Sequence, residues 1–91
     1  MKGIELWEKI NNTEKIREHL MYLYERWQDE KKYEDINDYL ESMKRLVPEA
    51  YKISGDPFSI TFKCEDGDLY VLVKEKGDYL TFTGEFQAAA V

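Results

Sequence analysis

Residues 64 to 70 read CEDGDLY, three carboxylates set around one glycine. The stretch supports three readings: a metal loop, an acidic recognition patch, or a turn between two strands. Register separates them. If Asp66 and Gly67 form the centre of a type I′ turn, Glu65 faces Asp68, Cys64 faces Leu69, Phe62 faces Val71 and Ile60 faces Val73. Every apolar residue then falls on one side. A second tight turn around Lys76, Gly77 and Asp78 keeps the parity and adds Leu80, Phe82 and Phe86 to that side, whereas a one-residue slip would scatter the set. A calcium loop with Gly67 in its sixth position needs oxygen ligands where the sequence has Phe62, Cys64 and Val73. The turn is therefore the reading adopted, and residues 58 to 86 are expected to form three strands of an antiparallel meander.

Upstream, the period changes from two to about 3.6. In residues 12 to 29 the apolar positions Ile16, Leu20, Leu23 and Trp27 make one helical stripe, with Asn12 or Thr13 as cap. Ile36, Tyr39, Leu40, Met43, Leu46 and Val47 repeat the pattern up to Pro48, which ends a helix that Asp35 is placed to cap. Ile4, Trp7 and Ile10, at steps of three, suggest a short leading helix interrupted at Asn11 and Asn12. The expected fold is α+β: two or three N-terminal helices packed on one face of a C-terminal three-stranded antiparallel β-meander. One domain is expected over residues 1 to 87, with 88 to 91 as a disordered tail.

The chain has 91 residues, 43% of them hydrophobic, which is enough for a compact core. Its formal charge of −6 argues against direct nucleic-acid binding, because each bound phosphate wants a cation. A single cysteine, Cys64, permits no internal disulfide, and no segment has the composition of a signal peptide or membrane span. A cytoplasmic protein without membrane contact is expected.

Chemistry has few parts to work with. His19 is the only histidine, Cys64 lies on the apolar strand face, and the glycines fit no phosphate-binding motif. No catalytic residue, metal or cofactor is assigned, and the chain reads as a non-enzyme. The second face of the sheet would carry Tyr70, Leu72, Tyr79 and Thr81, more apolar than solvent requires, and Met21 and Tyr22 point away from the main helical stripe. These six are the candidate protein interface.

The expected function is therefore that of a small acidic protein-binding module, an accessory, regulatory or inhibitory factor whose partner is another protein or a second copy of the chain. An alternative takes Glu65, Asp66, Asp68, Asp78 and Glu85 as an acidic patch that imitates nucleic acid in a basic cleft, in the manner of phage anti-defence or immunity proteins. A further alternative is an enzyme or ligand carrier with a pocket between helices and sheet, near His19 and Tyr24.

Overall fold

The computed structural model describes residues 1–30, 36–55 and 57–90. Helices α1 (Gly3–Asn12) and α2 (Glu14–Glu30) come first, then a 3₁₀ turn (Ile36–Tyr39) running into α3 (Leu40–Leu46). Strands β1 (Ala50–Ser54), β2 (Ser59–Cys64), β3 (Gly67–Lys76) and β4 (Tyr79–Ala88) follow. They form one antiparallel sheet in the order β1-β2-β3-β4. The class is α+β as expected, with four strands where three were expected.

The additional strand escaped the period-two pattern because of a bulge. Ala50 pairs with Phe62 and Lys52 with Thr61, so Tyr51 is an extra residue. Ala50 and Ile53, three apart in sequence, are consequently both buried, and strict alternation is lost. Asn37 in the 3₁₀ turn holds this strand by accepting a hydrogen bond from the Ile53 N–H at 3.1 Å.

The helices differ from expectation in detail. On α1 the buried positions are Gly3, Leu6 and Ile10, while Ile4 is exposed and Trp7 half-buried. Steps of three and four follow the true 3.6-residue period, which the uniform steps of three through Ile4 and Trp7 do not. Asn11 and Asn12 stay helical, and the break comes at Thr13, whose extended backbone (φ −116°, ψ 106°) turns the chain into α2. The expected continuous helix from Ile36 is split, because Tyr39 (φ −91°, ψ −2°) joins a tighter 3₁₀ turn to α3. Its expected cap, Asp35, and the link before it lie outside the described residues.

The Glu65-Asp66 pair, rather than Asp66-Gly67, is the turn centre. Cys64 pairs with Gly67, Phe62 with Leu69 and Ile60 with Val71, a register two residues from the expected one. A shift of two preserves the face, so Ile60, Phe62, Leu69, Val71 and Val73 are all buried together. Gly67 thereby becomes the first residue of β3, at φ 148°, a conformation reserved for glycine. At the other end of β3, Gly77 (φ 63°) and Asp78 make a tight turn with Lys76 paired to Tyr79.

One cluster makes the core. Leu6, Ile10, Ile16, Leu20, Leu23 and Met43 from the helices are buried with Ile53, Ile60, Phe62, Leu69, Val71 and Val73 from the strands. Phe58, placed just before β2 rather than in it, is closed in by Tyr24 edge-on at 5.7 Å and Trp27 at 5.6 Å between ring centroids. The expected domain limit at residue 87 falls inside β4, which continues through Ala88.

Candidate functional site

The acidic turn proves to be a junction. The Glu65 N–H donates to the Met1 carbonyl at 3.1 Å, and the Asp66 carboxylate accepts from the Gly3 N–H at 2.8 Å, at the start of α1. A carboxylate there satisfies an amide that the helix itself cannot and faces the positive end of its dipole. The Asp66 carbonyl accepts from the Ala89 N–H at 2.9 Å, so the same residue also fixes the end of β4.

This junction sets α1 beside β4. Trp7 lies against Gly84, where a Cβ would stand 2.9 Å from the indole, and the Phe86 ring lies against Gly3. Between them opens an apolar groove of about 250 Å³ lined by Ile4, Trp7, Leu69, Gly84 and Phe86, with Asp66 at its end. Ile4 is 63% exposed and Phe86 45% exposed, although Phe86 shares a sheet face with the buried Leu69. The position of β4 at the sheet edge explains this, since only β3 flanks it among the described strands.

Backbone geometry adds to the surface. Antiparallel pairs alternate between those that exchange hydrogen bonds and those that do not. The Ala89-to-Asp66 bond fixes the phase: Thr81, Thr83 and Glu85 turn their backbone groups toward β3, and Leu80, Phe82, Gly84 and Phe86 turn theirs outward. Proteins commonly blunt such an edge with lysine, proline, a bulge or brevity. Strand β1, at the opposite edge, is five residues long, bulged and carries Lys52. Strand β4 has ten residues, an unbroken register, no proline, and Glu85 as its one charged side chain.

The residues expected at the interface do not form one surface. Tyr70, Leu72 and Thr81 are half-buried on the face opposite Leu69 and Val71, among polar neighbours such as Ser59, Lys63 and Asp68. Tyr79 is 60% exposed and, with Met21, lines a groove of about 530 Å³ between α2 and the β3-β4 turn. Tyr22 stands elsewhere, beside His19 with ring centroids 5.7 Å apart. The groove of Ile4, Trp7 and Phe86 was not anticipated as a surface, because the spacing of Ile4 and Trp7 marks only a short helix and that of Phe86 only the apolar side of the sheet.

The five carboxylates divide likewise. Glu65, Asp66 and Asp68 sit at one end of β3 and Asp78 at the other, while Glu85 pairs across from Tyr70. Asp66 is engaged by Gly3, and Asp68 forms an ion pair with Lys63 at 3.2 Å.

His19 and Tyr24 line separate depressions. Tyr24 belongs to the groove with Met21, and its hydroxyl accepts from the Gln28 amide at 3.0 Å; burial, with Glu75 nearby, pushes its phenol above the ordinary value of 10.0. His19 Nε2 lies 2.8 Å from Ser42 Oγ on α3. Ser42 Oγ in turn donates to the Tyr39 carbonyl at 2.8 Å, a back-bond three residues along the chain. Its only proton is thereby committed, so His19 acts as the donor and the pair lacks the proton path of an activated serine. The contact ties α2 to α3. Cys64 is half-buried, and burial reinforced by Asp66 raises its thiol pKa, away from the thiolate that reactive cysteines use.

The His19 contact carries a pH prediction. Burial lowers its pKa from the ordinary 6.5, so below that pH the unfolded chain takes up the proton before the folded one. Stability is fully present above 6.5 and is lost as pH falls through the window beneath it. Lys15, Glu18 and Tyr22 on α2 line the same depression and belong to its electrostatic surroundings. The unfolding temperature of the wild type should drop more between pH 7 and pH 5.5 than that of His19→Gln, measured by circular dichroism. Parallel pH profiles would refute the assignment.

Fold and surface together define a small α+β domain whose sheet, among the described residues, has a short bulged edge at β1 and a long regular edge at β4. No protein-family model matches the chain, and neither a curated protein nor a solved structure matches it. No helix among the described residues is long and apolar enough to cross a membrane.

Proposed function

We propose that the chain is a small acidic, non-enzymatic protein-binding module that engages its partner along β4 and the apolar groove beside it. The reading includes the placement of all three helices on the sheet face that carries Leu69, Val71 and Val73, which leaves the β4 edge open to a partner. The observation that carries it is the adjacency of exposed Ile4 and Phe86 to a ten-residue strand whose outward backbone groups have no strand partner among the described residues. An added strand would be held by main-chain hydrogen bonds, with the groove taking an apolar side chain to supply selectivity.

Nucleic-acid mimicry has less support, because the carboxylates assigned to it stand at two ends of the sheet and three of them are already engaged, Glu65 by the Met1 amine, Asp66 by the Gly3 N–H and Asp68 by Lys63. The test of the leading reading is Ile4→Glu. The side chain is 63% exposed, so folding should be unaffected within about 0.5 kcal/mol, while a charge at the groove should weaken partner capture by at least tenfold, about 1.4 kcal/mol. Capture by immobilised protein and light scattering of the eluted species would be compared between wild type and variant. A wild type that remains a monomer and retains nothing would overturn the proposal.

A further inference from the structure

We infer that the occupant of the β4 edge is a second copy of this chain, joined by antiparallel β4-to-β4 pairing about a two-fold axis at Thr83. This rests on the reading of the same surface given above and names its partner. Isologous pairing requires a strand complementary to itself, and the outward phase of Leu80, Phe82, Gly84 and Phe86 restricts the choice of register. Outward-bonding residues must face one another, so only even offsets are permitted.

With Thr83 on the axis, Phe82 faces Gly84 of the second copy, beside the indole of that copy's Trp7, and Phe86 faces Leu80. Large side chains thus meet small or aliphatic ones, the arrangement by which an aromatic compensates for a strand glycine. On the opposite face Thr83 meets its own equivalent and Glu85 meets Thr81. An axis at Glu85 would set two carboxylates face to face, and an axis at Gly84 would crowd two Trp7 rings over adjacent glycines. The Thr83 register also pairs Tyr79 with Gln87, which uses nearly the whole strand. Because the two-fold axis is perpendicular to the sheet, both copies keep Leu69, Val71 and Val73 on the same side. One continuous eight-stranded sheet results, with both apolar grooves at its centre.

Cysteine cross-linking and light scattering test the register and the association separately. Thr83→Cys in a Cys64→Ala background should form a disulfide-linked dimer under mild oxidation. A non-hydrogen-bonded antiparallel pair sets its Cα atoms about 4.5 Å apart, within disulfide range. Thr81→Cys in the same background, offset from its own equivalent, should not. Thr83→Lys, at an exposed position, would bring two ammonium groups together and should raise the dimer dissociation constant about fivefold while leaving the circular dichroism spectrum unchanged. A dimer that cross-links through Thr81→Cys but not Thr83→Cys overturns this pairing. A monomeric wild type that still captures another protein, and loses it on Ile4→Glu, overturns self-association while leaving the binding-module reading intact. A monomer that captures nothing overturns both.

Discussion

Gly67→Val is expected to remove most of the stability of the domain, at least about 3 kcal/mol. At φ 148° the backbone there lies in a region that side chains with a Cβ rarely adopt, and strain of this kind costs about 1–3 kcal/mol. The space is also taken. A Cβ would collide with the Gln87 carbonyl oxygen and stand 2.8 Å from both Ala88 Cα and Ala89 N, all backbone atoms that cannot swing aside. Relief would require β4 to part from β3 at the point where Ala89 bonds Asp66, and with it the anchorage of α1 on the same residue. A domain of this length is stable by only about 5–10 kcal/mol, so the loss should be evident as a lower urea midpoint. A midpoint unchanged from wild type would mean that β4 does not close over Gly67.

That glycine also illustrates how far the sequence could be read. The Asp-Gly pair is a strong turn signal, and it led to a turn one residue too late because both registers send the same apolar residues inward. Face parity is blind to a shift of two. What selects the observed register is tertiary: Asp66 is needed at the α1 start, and Gly67 is needed where the end of β4 passes. Neither demand is visible in residues 64 to 70 alone. By contrast, the α2 stripe of Ile16, Leu20 and Leu23, and the alternation of Leu69, Val71 and Val73, were legible because each is a local period imposed by burial of one side.

The surface was harder to read for a related reason. Tyr70 and Leu72 look conspicuous in a list of residues, yet in the sheet they are half-covered by neighbouring strands. Phe86 has the spacing of a core residue and is 45% exposed because its strand is at the edge. Strand order is a long-range property, set by which turns are tight, and it decides which members of an inward-facing set are enclosed. Ile4 and Trp7 belong to the same class: their spacing marks an amphipathic helix, while their exposure depends on where Asp66 anchors it.

This distinction between facing inward and being enclosed yields the second large effect. Phe62 and Phe86 flank Leu69 on the same sheet face, Phe62 through β2 and Phe86 through β4. Phe62 is 0% exposed and Phe86 is 45% exposed. Truncation of Phe62 to alanine removes a fully enclosed ring from a region bounded by strands on either side, so the cavity can collapse only in part. The expected loss is about 3–5 kcal/mol in unfolding free energy. Phe86→Ala gives up only the half of its ring that rests on Gly3, and water can fill the space from outside, so about 1 kcal/mol is expected. Measured by urea titration at a concentration low enough to keep the chain monomeric, the two substitutions should differ by at least about 2 kcal/mol. At higher concentration the gap should narrow, because in a dimer paired through β4 Phe86 becomes enclosed and its truncation then costs what a core position costs. A concentration-independent difference would argue that Phe86 stays at a free edge, and equal losses at every concentration would argue that β4 lies inside the sheet rather than at its margin.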